Sequence, residues 1–165
     1  MRTTKSLKKF AVILLILTIA TNIFAVLEIF NTWAKSTFEI VGYQMTNSLK
    51  FTLSDKIVFT VYQLLNISLI LPVYWFYEAS KSIAKGIFFE SFIIKKFNQI
   101  GNFLYIVSAI AVIFPRFFTH DESIRESLWY GIHPIFVMIF ATLMLSFAVI
   151  FKEAKKQKEE NELTI

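Results

Sequence analysis

Four apolar runs, each about as long as a bilayer core is thick, constrain this chain more than any other feature. A helix needs about 20 residues to cross that core. The runs are Phe10 to Phe30, Ile57 to Tyr77, roughly Ile100 to Phe118 and roughly Trp129 to Phe151. Hydrocarbon offers a backbone N–H or C=O no partner, so a spanning segment must bond within itself as a helix or around a closed barrel. The alternation of a barrel strand is missing, and the 165 residues include only four Gly and three Pro. Nor could a soluble domain of this size hide these runs. Apolar residues make up 56% of the chain and 19 are Phe, more than its surface-to-volume ratio can bury. The expected fold is all-α: an integral membrane bundle of four transmembrane helices, with residues 1–165 forming a single membrane domain.

The first run follows Lys5, Lys8 and Lys9, as the core of a secretory signal would. It exceeds the apolar core of a cleavable signal, about 7–15 residues, and Ile23 stands where a small residue would precede Ala25. It is expected to stay in place as a helix.

The distribution of Lys and Arg orients the bundle. Arg2, Lys5, Lys8 and Lys9 precede the first run, Lys81, Lys85, Lys95 and Lys96 lie between the second and third, and Lys152, Lys155, Lys156 and Lys158 follow the fourth. The other side holds Lys35, Lys50, Lys56, Arg116 and Arg125, offset by Glu39, Asp55, Asp121, Glu122 and Glu126. A multi-pass protein of the cytoplasmic (inner) membrane, with both termini cytoplasmic, is the expectation. The net charge of +5 then signals topology and affinity for a bilayer with anionic headgroups, and no direct nucleic-acid binding is expected. With no Cys, disulfides, thiol catalysis and cysteine metal sites are excluded.

Residues 31–56 form a long polar and aromatic outer loop, and residues 119–128 a short acidic outer turn. The inner connection is the most patterned. In GIFFESFIIKKFNQIG, Gly86 to Gly101, helical spacing puts Phe89, Ile93, Phe97 and Ile100 on one face and Ser91, Lys95, Asn98 and Asn102 on the other. That pattern predicts an interfacial amphipathic helix at about residues 87–100, between the second and third transmembrane helices. It would bend upward near Gly101. Its role is either a membrane-surface connector or a docking or lipid-sensing surface, with Phe89, Lys95, Lys96 and Phe97 as the candidate contacts.

The cytoplasmic tail, residues 152–165, continues the fourth helix. Its lysines suit the anionic leaflet and the C-terminal end of a helix dipole, and Glu159, Glu160 and Glu162 carry it into water. A solvated tail does not account for the closing ELTI, where Leu163 and Ile165 return apolar side chains. Glu160, Leu163, Thr164 and Ile165 are candidate contacts, with the inner amphipathic helix or with a partner protein.

These two stretches carry a resemblance. Gly86, Phe89, Lys95, Lys96, Phe97, Ile100 and Gly101 match in register the inner-loop signature of a family of small four-helix bacterial membrane proteins, domain of unknown function 2975. Phe151, Glu153, Glu160, Asn161, Glu162, Leu163, Thr164 and Ile165 resemble that family's ending. The chain departs from it at Ala154, where Gly is usual, and at Gln157, where an apolar residue is usual. The resemblance implies an integral membrane protein without an assigned activity. Members are often encoded beside a small helix-turn-helix regulator, which implies such a protein as a partner.

Polar residues inside a membrane are costly and are weighed singly. In the first run Thr21, Ala25 and Glu28 share one face and Thr18, Asn22 and Ala25 an adjacent one; in the second, Thr60, Gln63 and Asn66 recur at spacings of three. Such seams bring helices together through close approach and interhelical hydrogen bonds; the alternative is a path for an ion or small solute. Glu28 and Arg116, both near outer helix ends, are expected to pair. Pro72 and Pro115 are expected to kink their helices. His120, beside Asp121 and Glu122, lacks a second ligand at a zinc-site spacing, and His133 precedes Pro134 where it would cap or line the outer interface. No nucleophile elbow, zinc-protease helix or phosphate loop appears. No enzyme activity, metal or cofactor is expected. The function expected is that of a membrane sensor or regulator acting through its inner helix and tail. The alternative is a small transporter or channel subunit that uses the polar seam and works as a homo-oligomer.

Overall fold

A computed structural model describes residues 2–34, 52–118 and 133–163. Helix α1 is Arg2–Ala34, α2 is Leu53–Ser68, α3 is Ile70–Ala84, α4 is Ser91–Phe118 and α5 is Pro134–Leu163. Together α2 and α3 make one span, so there are four helical spans long and apolar enough to cross a membrane. Among the described residues there is no strand. Large apolar side chains such as Ile16, Phe24, Phe30, Phe117, Phe136 and Val149 point outward. No soluble protein leaves so much hydrocarbon in water; this surface faces lipid, and the chain is an integral membrane bundle. Lys35, Glu39 and Lys50 between the first two spans, and His120, Asp121, Glu122, Arg125, Glu126 and Trp129 between the last two, lie outside the described residues, as do Thr164 and Ile165.

The spans pack in the order of the chain. α1 lies against α2 and α3, these lie against α4, and α4 makes its most extensive contact with α5. The buried interior falls into two parts. Val58, Phe59, Tyr62 and Ala111 fill one end, with Phe114 and Val137 against them. Ala79, Ile83, Ile93, Phe97 and Ala148 fill the other, with Leu7, Phe76, Met144 and Phe151 against them. This second end gathers the start of α1, the α3–α4 connection and the charged extension of α5, and is called the terminal end below.

Local signals explain the element boundaries. At the start of α2, Thr52 and Asp55 form a capping box: the Asp55 N–H donates to Thr52 Oγ1 (3.2 Å) and the Thr52 N–H to Asp55 Oδ2 (2.9 Å). Pro134 opens α5, where a missing N–H has no cost, and the His133 carbonyl accepts from Phe136 and Val137. α3 ends in a Schellman motif: the Ile87 N–H reaches the Ser82 carbonyl and the Gly86 N–H that of Ile83. Gly86 takes the positive φ this motif requires, +84°.

Pro72 acts as expected on the second span, though the interruption falls upstream of it. A proline has no N–H for the carbonyl four residues earlier and its ring crowds that carbonyl. Here that carbonyl belongs to Ser68, and the helix breaks at Leu69, between α2 and α3. Pro115 sits inside α4, which continues to Phe118.

The amphipathic segment differs from expectation. It is no separate helix; residues 91–100 are the first turns of α4, which runs unbroken through Gly101. Its apolar face does not lie open to headgroups either, because Ile93, Phe97 and Ile100 are buried within the bundle. Gly101 serves close approach instead of a bend. A Cβ added there would lie 2.5 Å from Leu145 Cγ and 3.0 Å from the Ala141 carbonyl oxygen. Gly101, Ser108 and Pro115 recur at seven-residue spacing on α4, as do Pro134, Ala141 and Ala148 on α5, and all six are buried. Small residues let two backbones approach where lipid supplies no hydrophobic drive between helices. Ser108 Oγ donates to the Pro134 carbonyl across this seam (2.9 Å).

In an uncrowded helix Gly101→Ala would gain about 0.5–1 kcal/mol. Overpacking costs about 1–3 kcal/mol, so a net loss of stability is expected, larger for Gly101→Leu. Thermal unfolding of the purified protein in detergent checks this; an unchanged or raised Tm for Gly101→Leu would mean that α4 and α5 are not this close.

Candidate functional site

The two stretches singled out in the sequence meet at the terminal end, although some fifty residues separate them. Phe97 is the hub. Its ring lies 5.4 Å from that of Phe151, 5.9 Å from Phe147 and 6.5 Å from Phe76, mostly edge-on or tilted. Those geometries favour the aromatic quadrupoles. Phe89 adds a further edge contact to Phe151 (6.3 Å) while remaining partly exposed. α3, α4 and α5 are thus joined by one aromatic set, which forms because the Schellman turn at Gly86 returns the chain onto α3 within a few residues.

Charge completes the junction. Lys96 pairs with Glu78 of α3 at 2.5 Å, both side chains largely shielded, at 16% and 29% exposure. The same ammonium lies 5.3 Å from the Phe92 ring. Lys95, one position earlier, is exposed. The adjacent lysines therefore divide roles: one fastens α3 to α4 and the other faces solvent. Sequence reading missed Glu78. The available signal was a single acid directly after the second apolar run, among lysines.

The root of the tail is fixed in the same place. Lys155 Nζ donates to Ser91 Oγ at the start of α4 (2.8 Å), and Phe151 lies among the aromatic rings. Beyond it α5 continues to Leu163, supported by ion pairs of Lys155 with Glu159, Lys156 with Glu160 and Lys158 with Glu162, one helical turn apart. These exposed pairs each contribute a few tenths of a kcal/mol at most, enough to favour helix and too little to hold a tertiary contact. Leu163 is 87% exposed. The expected contact of Leu163 with the amphipathic segment is therefore not made, because the tail projects away from the bundle as a straight continuation of α5.

The polar seam is mostly consumed by the helices themselves. Asn22 Nδ2 donates to the Ile67 carbonyl (3.3 Å), beside the break upstream of Pro72. Ser68 Oγ donates to the Leu65 carbonyl in the same turn (2.7 Å). Asn66 Nδ2 donates to Gln63 Oε1 on its own helix (3.1 Å), and Thr18 Oγ1 to the Leu14 carbonyl (2.8 Å). Trp33 Nε1 reaches Thr60 Oγ1 (3.0 Å), tying the far end of α1 to α2. The expected pair of Glu28 with Arg116 does not form: α2 and α3 stand between α1 and α4, and Arg116 is exposed. Glu28 is half-buried and its backbone carbonyl accepts from Thr32 Oγ1.

A shielded charge pair contributes more than an exposed one, because stranding either partner leaves an uncompensated charge. Glu78→Gln and Lys96→Gln should each cost about 1–2 kcal/mol, and the double variant little more than either alone. Lys95→Gln should stay within about 0.5 kcal/mol of the parent. Unfolding midpoints of the four proteins decide it; strictly additive losses would mean the pair is not coupled.

No curated protein and no solved structure matches the chain. A family model does, over residues 54–165, which takes in α2 to α5 and both stretches that meet at the terminal end. With more than half its length so matched, this chain belongs to the family described as Protein of unknown function (DUF2975).

Proposed function

We propose that the protein is a non-enzymatic membrane regulator or sensor that engages a soluble partner through its terminal end, with the α5 extension as the contact arm. One observation carries this reading. The arm is anchored at its root by Phe151 and Lys155, and Leu163 near its end is exposed, which leaves that side chain open to a contact from outside the bundle. Its rigid junction with α4 and α3 supports a route by which a rearrangement of the spans would move the arm. The lysine count supports placing this end in the cytoplasm. The family resemblance points to a small helix-turn-helix regulator as the partner class.

The transporter alternative has less support. Asn22, Gln63 and Asn66, the residues it would use, are engaged in hydrogen bonds within and between helices, as packing seams are.

In-cell crosslinking and pull-down from native membranes, with the full chain and with a chain truncated after Lys158, tests the proposal. A helix-turn-helix protein recovered only with the full chain is the expected result. An identical set of partners from both chains would sink the arm's role, and recovery of the protein's own copies alone would favour a self-contained oligomer.

A further inference from the structure

The terminal end has a second face, between α1 and α3, away from the aromatic junction. A cleft of about 650 Å³ opens there. Lys8 and Lys9 of α1 and Lys81 and Lys85 of α3 line it, over a floor of Val12, Ile13 and Ala84. All four lysines are exposed, and among the described residues none has a carboxylate partner. The contrast with the other side is physical. There Lys96 has Glu78, and Lys155, Lys156 and Lys158 each have a glutamate. Four lysines lining one cleft repel one another; Lys81 Nζ lies 5.4 Å from the Tyr77 ring, and no carboxylate lines the cleft.

The floor is as informative as the rim. Lys8 and Lys9 stand at the start of one apolar span and Lys81 and Lys85 at the end of another, so the cleft sits at the membrane boundary. Further along the same α1–α3 seam lies a second hollow of about 330 Å³, bordered by Ile19, Ile23, Val26 and Ile70. From Val12 to Ile23 the rise along α1 is about 16 Å, close to the half-thickness of the hydrocarbon core, roughly 15 Å. A basic cleft with a second, apolar hollow about one leaflet's depth along the same seam matches an amphiphile with an anionic head.

We propose that the α1–α3 cleft binds one anionic glycerophospholipid, its phosphate among Lys8, Lys9, Lys81 and Lys85 and an acyl chain in the seam leading to Ile23 and Ile70. A free phosphate would use the rim and leave the groove unused; a lipid uses both. The site is separate from the proposed partner arm and stands whether or not that reading holds.

Native mass spectrometry of the full-length protein, titrated with phosphatidylglycerol, phosphatidylcholine or glycerol 3-phosphate, tests it. Phosphatidylglycerol should bind with one-to-one stoichiometry and roughly tenfold more tightly than phosphatidylcholine. Glycerol 3-phosphate should not compete. Since each lysine near an anionic surface contributes to attraction, Lys8→Gln with Lys85→Gln should weaken phosphatidylglycerol binding roughly tenfold. The charge-matched Lys156→Gln with Lys158→Gln should leave it unchanged. Equal losses in both variants would reduce the effect to general surface charge and overturn the site. Effective competition by glycerol 3-phosphate would make it a soluble-phosphate site and overturn the lipid. Should the cleft variant fail to fold, the unmodified protein still decides. A phosphatidylglycerol with a photoreactive acyl chain should label α1 between Val12 and Leu27 or α3 near Ile70, and labelling confined to α4 and α5 would overturn the proposal.

Discussion

No backbone polar group can be left unpaired in hydrocarbon, and the architecture depends on that constraint. It makes every span a helix, and it governs the one place where a span is interrupted. Pro72 removes a donor, the helix breaks at Leu69, and side chains repair the surroundings: Ser68 takes the Leu65 carbonyl and Asn22, from the neighbouring helix, takes that of Ile67. A polar residue in the middle of α1 thereby becomes a structural contact with α2. The break and the asparagine belong to one device, since an amide in lipid is costly and a carbonyl beside a helix break has capacity to accept.

Association between spans follows from a different balance. Lipid tails are as apolar as leucine, so helices gain little by hiding Phe or Ile from lipid and more by close contact. α4 and α5, the most extensively packed pair, meet through Gly101, Ser108, Ala141 and Ala148, with the bulky residues of α5 turned outward. Towards the terminal end large side chains join this contact, where Phe97, Phe147 and Phe151 cluster and Lys96 meets Glu78. α1, with the smallest buried share of its span, packs on α3 and α2 with Ala11 and Ala25 buried and hydrogen bonds from Asn22 and Trp33, and it is along α1 that the two hollows lie.

The terminal end is therefore divided by charge. On the α4–α5 side Lys96, Lys155, Lys156 and Lys158 each have a glutamate partner, and the aromatic rings hold the geometry. On the α1–α3 side the lysines converge without acids over an apolar floor. One face is cross-linked by rings and ion pairs; the other presents four lysines without a carboxylate partner among the described residues. This division cannot be seen by counting basic residues, since the start of α1, the α3–α4 connection and the α5 extension carry four each.

What the sequence by itself determined is what hydropathy and local chemistry can report: four spans, helical throughout, with Pro72 disturbing the second, and a charged helical tail. Membership of the family was also legible, because its motifs are local in the chain. Three things were decided only by tertiary structure. Helical periodicity showed that Phe89, Ile93, Phe97 and Ile100 share a face, but both a membrane surface and neighbouring helices accept an apolar face, and it was α3 and α5 that took it. Glu28 and Arg116 had suitable depth and charge, but α2 and α3 came between their helices. The cleft of Lys8, Lys9, Lys81 and Lys85 arises because α1 and α3 run side by side in opposite directions, bringing together residues more than seventy positions apart. Hydropathy records how deep a residue sits in the bilayer; which neighbour it faces depends on the order in which the helices pack.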